Sequence, residues 1–149
     1  SSQAFRRFNS PLRRKQKPHP FANTTFFLSE GIKELRVLHA DERQRSEFWR
    51  SMGNSMVDSS FVEKGGTELG CMSTSTSQSM AEDYAQSDQP LLFRIISISF
   101  MSRGADITWL SVYPNEQEIL YPPISYLKFL KQTIQHSTRF VIDMEPEIG

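Results

Sequence analysis

The sequence predicts an α+β fold, on three observations. Helical periodicity is concentrated towards the front of the chain, about six short β-rich segments follow, and helices do not alternate with strands as a doubly wound parallel sheet requires. The 149 residues suit one domain. Apolar residues make up 38% of the chain and include 11 Phe, 4 Tyr and 2 Trp, which is enough to build a core. No apolar run approaches the roughly 18 residues of a membrane span. The single cysteine, Cys71, excludes an internal disulfide framework and any multi-cysteine zinc site. His19, His39 and His136 are scattered without metal-ligand spacing, so no metal is expected.

A net charge of zero hides an asymmetry. Residues 1–18 hold Arg6, Arg7, Arg13, Arg14, Lys15 and Lys17 and no acid, which leaves the rest of the chain with a charge of −6. With little to bury, this segment reads as a basic flexible tail or linker, ahead of a domain spanning 19–149. Such a segment has the chemistry to touch nucleic acid, anionic lipid or the acidic body of the protein; the plainer reading is a solvated linker. The segment is not a secretory signal, because no apolar stretch follows the charges.

The elements follow in order. Leu28, Ile32, Leu35 and His39 recur at helical spacing after the capping candidates Asn23, Thr24 and Thr25, which predicts a helix over 23–39 despite Gly31. Residues 48–52 read as a short strand, broken by Gly53 and Asn54. Asp58 caps a short helix through Phe61 and Val62, stopped by Gly65 and Gly66. A strand is expected over 67–74, and then a helix through Met80, Ala81 and Tyr84 capped by Ser75 or Ser77. Residues 88–90 form a turn, and 91–99 form a buried strand. After a turn at Arg103 and Gly104, a strand is expected over 107–110, a loop at 113–115, extended structure over 117–121 ending at Pro122, and a last strand over 140–144.

Three places carry chemistry. Arg50 lies among Phe48, Trp49 and Met52; a guanidinium there is either a snorkelling edge residue or a bidentate ligand for carboxylate or phosphate. Ser73, Thr74, Ser75, Thr76 and Ser77 offer five consecutive hydroxyls, which either cap a helix or orient a carboxylate or ligand. Glu116 and Glu118 flank Gln117; in extended backbone they would share one side, and two acids facing one cleft can divide the labour of positioning and cation stabilisation. Two solvated loop acids are the bland alternative. Cys71 reads as a small buried residue.

Taken together, the aromatic-Arg strand, the Gly-Gly-Thr-Glu-Leu-Gly-Cys-Met-Ser-Thr-Ser segment and the Tyr-Pro-Asn-Glu-Gln-Glu-Ile-Leu-Tyr-Pro-Pro segment resemble the mono-ADP-ribosyltransferase family. The order Arg50, Ser73, Glu118 is similar to its arginine-specific branch, and the likeness runs from about Phe21 to the last strand. The resemblance implies two packed, mostly antiparallel sheets around an NAD cleft, with N-terminal helices at one side. It implies transfer of ADP-ribose from NAD to arginine side chains of a protein acceptor, with release of nicotinamide. The alternatives are an NAD glycohydrolase with little transfer and a silent binding module of the same fold.

Residue by residue, the resemblance implies that Arg50 binds the NAD diphosphate and that Ser73 holds Glu118 and the nicotinamide ribose. Thr74 and Ser75 would stabilise the site wall. Glu118 would bond the ribose 2-hydroxyl and stabilise the departing cation. Glu116 would receive the acceptor guanidinium, with Tyr113 touching the target protein. Ser51 stands where the family often has Gly beside the nicotinamide amide. Tyr84 and Phe61 are candidates for stacking on nicotinamide, with core packing as the alternative for both. Ecto-enzymes of this branch usually carry disulfides, so the single cysteine points to an intracellular, cytoplasmic protein.

Overall fold

A computed structural model describes residues 3–38, 45–52, 57–85, 90–136 and 139–149. The expected break at Gly53 and Asn54, the helix end at His39 and most of the turn at 88–90 lie outside the described residues.

The basic segment is the first departure from expectation. Helix α1 (Gln3–Arg13) forms where a flexible tail was expected. Its basic side chains at Arg6, Arg7 and Arg13 are exposed or half-exposed, while Asn9 is buried. Asn9 Nδ2 donates to the Cys71 carbonyl at 3.1 Å, and its Oδ1 accepts from the Cys71 N–H at 2.8 Å. Phe8 packs on Phe21 with ring centroids 5.3 Å apart. Composition marks such a segment as solvated, but a helix needs only one buried face, and here a polar residue supplies its centre.

Helix α2 (Ala22–Leu38) starts one residue ahead of the expected 23, so the capping candidates Asn23, Thr24 and Thr25 lie inside its first turn, where the Thr25 N–H donates to the Phe21 carbonyl at 2.9 Å, and do not cap it. It buries Ile32 against Cys71, Ala105 and Leu120, with Leu35 beside them. Helix α3 (Ser59–Lys64) has the expected cap: Asp58 Oδ1 accepts from the N–H groups of Ser60 at 2.8 Å and Phe61 at 3.0 Å. Gly65 ends it at φ 68°, where a Cβ would lie 2.4 Å from the Leu127 carbonyl oxygen. Helix α4 (Gln78–Ala85) follows the hydroxyl run, with the Ser77 hydroxyl accepting from the Met80 N–H at 3.4 Å.

Eight strands are described: β1 (Ser46–Ser51), β2 (Gly66–Glu68), β3 (Met72–Ser75), β4 (Leu91–Ser97), β5 (Ala105–Asp106), β6 (Glu118–Tyr121), β7 (Ser125–Gln135) and β8 (Arg139–Glu147). The strand expected over 67–74 is split. Its middle bends so that the Gly70 N–H reaches Glu68 Oε1 at 2.9 Å, and Asn9 takes the Cys71 backbone groups that a ladder would use. The strand expected over 107–110 is a 3-10 turn (Thr108–Leu110), and the pairing falls two residues earlier in β5. Strand β7 has no counterpart among the expected elements. Its alternation breaks at a bulge between Phe129 and Lys131, so neither a strand nor a helix period stands out.

The α+β class and the mostly antiparallel pairing hold. The strands form one sheet in the order β2-β7-β8-β4-β1-β3-β6-β5, with β4 and β8 the parallel neighbours. Where two packed sheets were expected, the ladder is continuous, but it is thin at one place. Strands β1 and β3 meet through a single pair, Trp49 with Ser75. Phe48, Met72, Phe93, Ile119, Tyr121, Leu127 and Met144 share one buried cluster, although their strands are spread along the sheet, so the sheet curls around its core. On the opposite face, Trp49, Leu92 and Val141 pack under Ala81 of α4.

Candidate active site

The thin seam between β1 and β3 collects the chemistry-bearing residues. Strand alternation buries Met72 and Thr74 and leaves Ser73 and Ser75 half-buried on the other side of β3. Register sets Ser75 opposite Glu118 and Ser73 opposite Leu120, so Ser73 and Glu118 are diagonal neighbours. The Ser73 hydroxyl donates to Glu118 Oε1 at 2.6 Å. Arg50, from the end of β1, donates through Nη1 to the Ser73 carbonyl at 3.1 Å. The Arg50 side chain is only 20% exposed. Burial lowers its pKa, the Glu68 charge works the other way, and nearby Arg13 lowers it further. Arginine stays charged through such shifts, and among the described residues the Ser73 carbonyl is the acceptor of the Arg50 guanidinium.

The five hydroxyls divide between the two roles weighed for them. Four stitch β3 and its extension to residues 116–119. Ser73 bonds the Glu118 carboxylate, Thr74 bonds the Ile119 carbonyl at 2.8 Å, Ser75 bonds the Glu116 carbonyl at 2.8 Å, and Thr76 bonds the Gln117 side chain. Ser77 does the capping. Thr74 is therefore buried and faces away from Ser73 and Glu118; it holds the wall from behind rather than lining it. Ser51 is half-buried, opposite Leu92 at the end of β1.

The two acids are not placed by strand alternation. Glu116 ends a 3-10 turn (Pro114–Glu116), and Gln117 is left-handed at φ 47°, so the expectation of an extended Glu-x-Glu does not hold. Of the two carboxylates, Glu116 is bonded to Tyr84 of α4 and Glu118 to Ser73. The Tyr84 hydroxyl donates to Glu116 Oε1. That bond, with burial and the charges of Glu116, Tyr113 and Glu118, pushes the phenol up to about 12, so it remains a donor at neutral pH. Tyr113 is 65% exposed, beside Val112 at 85% and Trp109 at 63%. The sequence reading placed Trp109 in a strand and missed this apolar stretch.

Other candidates resolve into structure. Phe61 stacks on Phe93 at 6.0 Å and meets Phe129 edge-on, so it is a core residue. Tyr84 is bonded to Glu116 instead of packed in the core. Cys71 is buried and free, and burial lifts its thiol to about 11, which keeps it neutral and unreactive. Glu68, which its residue type and spacing do not single out, faces Arg50 Nη2 at 3.9 Å. Among the described residues no helix is long and apolar enough to cross a membrane, and no three His, Cys, Asp or Glu cluster as metal ligands do.

Comparison with protein families matches residues 7–145 to the ADP-ribosyltransferase exoenzyme model. Comparison with curated proteins finds no match. Among solved structures, the ADP-ribosyltransferase HopU1 of Pseudomonas syringae pv. tomato DC3000 aligns with a TM-score of 0.75 at 19% identity, over 98% of this chain and 66% of that one. Exoenzyme S from Pseudomonas aeruginosa, solved with human 14-3-3 protein beta and carba-NAD, aligns at 0.67 and 18% identity, over 96% and 67%. The ADP-ribosyltransferase Vis from Vibrio splendidus, solved with agmatine, aligns at 0.63 and 17% identity, over 99% and 70%. The chain thus spans about two thirds of the length of these three neighbours. It belongs to the ADP-ribosyltransferase exoenzyme family.

Proposed function

We propose that this member of the ADP-ribosyltransferase exoenzyme family transfers ADP-ribose from NAD to arginine side chains of a protein acceptor. The observation that carries the reading is the Ser73 hydroxyl bonded to Glu118 at 2.6 Å, with Arg50 fixed on the carbonyl of that same serine at 3.1 Å. One short strand thus sets an anion-binding guanidinium and a cation-stabilising carboxylate in a fixed relation.

Arg50 holds the NAD diphosphate through the donors that Ser73 leaves free, as guanidinium geometry favours. Glu118 keeps one oxygen on Ser73 and turns the other to the 2-hydroxyl of the nicotinamide ribose. As the bond from ribose C1 to the nicotinamide nitrogen breaks, its electron pair leaves with nicotinamide and cancels the ring's positive charge. The positive charge that develops on the ribose is stabilised by Glu118. Glu116 aligns the acceptor guanidinium and takes its proton as the new C–N bond forms. Free arginine is protonated near neutral pH and needs such a partner to become a nucleophile. Tyr113 and its apolar neighbours touch the protein that carries the arginine. The agmatine in the Vis structure, a small guanidinium compound, supports an arginine-like acceptor for this fold.

The test is nicotinamide release from NAD by the purified protein, with and without agmatine, following the adduct by mass. An ADP-ribosyl-agmatine adduct is the expected result. Nicotinamide without an adduct, from agmatine or a protein acceptor, would replace transfer with NAD hydrolysis. No nicotinamide from folded protein would overturn both.

A further inference from the structure

Helix α1 does more than cover the domain. Asn9 and Arg13 are four residues apart and share one helix face. Asn9 grips both backbone groups of Cys71. Gly70 lets it do so, since a Cβ there would meet Asn9 Cγ and Oδ1 at 2.9 Å. One turn on, Arg13 Nε donates to Glu68 Oε1 at 2.9 Å. The Gly70 N–H donates to the same oxygen at 2.9 Å. The other oxygen, Oε2, stops 3.9 Å from Arg50 Nη2, beyond hydrogen-bond reach. A single carboxylate, 16% exposed, therefore stands between two guanidinium groups and is hydrogen-bonded to the one that lies outside the site.

We infer that Arg13 is a positioning residue for NAD binding, acting through Glu68: it holds that carboxylate back from Arg50 and so leaves the Arg50 donors open to the diphosphate. The inference rests on the NAD reading given above. Its physical basis is competition. Carboxylate and diphosphate are rival anions for one guanidinium fork. With Arg13 gone, the half-buried Glu68 charge has one cation left to pair with, and it closes on Arg50. NAD must then displace an ion pair before it binds. On this arrangement the N-terminal helix is part of the cofactor-binding machinery although Arg13 itself need not touch NAD.

Calorimetry with carba-NAD, which measures binding without turnover, tests this. Arg13→Met should weaken the dissociation constant about ten-fold, and adding Glu68→Gln to it should bring the constant back to within about two-fold of wild type. Arg13→Lys, which keeps a charge beside Glu68, should bind like wild type to within about three-fold. Melting curves establish that each variant is folded. Should Arg13→Met not fold, Arg13→Gln with and without Glu68→Gln replaces it. A double variant as weak as the single one would overturn the inference, because Arg13 would then act on NAD directly or on the fold alone. An Arg13→Met protein that binds like wild type would overturn it as well. A folded wild-type protein that does not bind carba-NAD would instead overturn the NAD reading, and this inference with it.

Discussion

Glu118 and Glu116 are two residues apart, and the fold holds them in opposite ways. Glu118 opens strand β6, and its carboxylate is fixed by Ser73 on the neighbouring strand, so both partners stand on ladder positions. Glu116 ends a 3-10 turn before a left-handed Gln117, and its carboxylate is held by the hydroxyl of Tyr84, itself 61% exposed. The Arg50, Ser73 and Glu118 side is half-buried and tied to strand backbone. The Glu116 side carries the exposed Trp109, Val112 and Tyr113. In the proposed reaction, the part that breaks the glycosidic bond is rigid, because a displaced carboxylate there would lose the developing cation. The part that meets the acceptor rides on turns, which can differ without disturbing the bond-breaking half.

Breaking the rigid side should have the largest effect. Glu118→Gln keeps the shape and removes the charge; nicotinamide release should fall about 1,000-fold, with carba-NAD affinity changed by less than about three-fold. Steady-state kinetics beside calorimetry measures both, and near-normal turnover would remove Glu118 from its role. Ser73→Ala leaves the charge but frees the carboxylate, so release should fall by roughly 10- to 100-fold, mostly in kcat. A loss confined to KM would mean that Ser73 serves binding only.

The turn-borne side sharpens the contrast. Glu116→Gln should reduce transfer to agmatine about 100-fold and NAD hydrolysis by less than about ten-fold. Equal loss of both would show that the two carboxylates do not divide the work. Tyr84→Phe removes one hydrogen bond to Glu116, and transfer should fall only about three- to ten-fold, with hydrolysis unchanged. A fall in hydrolysis as large as that in transfer would place Tyr84 on the NAD side instead.

How much of this was legible in the sequence follows from how local each feature is. The cap at Asp58 and the stop at Gly65 are each decided within a few residues and appear where expected, whereas of the stripe expected on α2 Ile32 is buried and Leu28 is exposed. Arg50, Ser73 and Glu118 were legible as types in order, through resemblance, and the structure sets the Ser73 hydroxyl 2.6 Å from Glu118 Oε1. Misread features depend on distant partners. Strand β7 is strand because β2 and β8 flank it, and its bulge erases the local period. Residues 1–18 read as a linker because their six bases outweigh the small buried face of α1, whose centre is Asn9 against Cys71. The Glu-x-Glu spacing suggested one extended face, whereas the left-handed Gln117 separates a Glu116 bonded to Tyr84 from a Glu118 bonded to Ser73.

By itself, the sequence determined the α+β class, the limits that Asp58 and Gly65 set on α3 and the start that Ser77 sets on α4, and the supply of one guanidinium, a run of hydroxyls and two carboxylates in order. These are matters of composition and short-range backbone preference. Tertiary structure alone decided that the sheet is continuous and thinnest between β1 and β3, that four hydroxyls bond residues 116–119 one by one, and that Glu68 is shared between Arg13 and Arg50. Those outcomes rest on register and on contacts between residues tens of positions apart, which no local window of sequence contains.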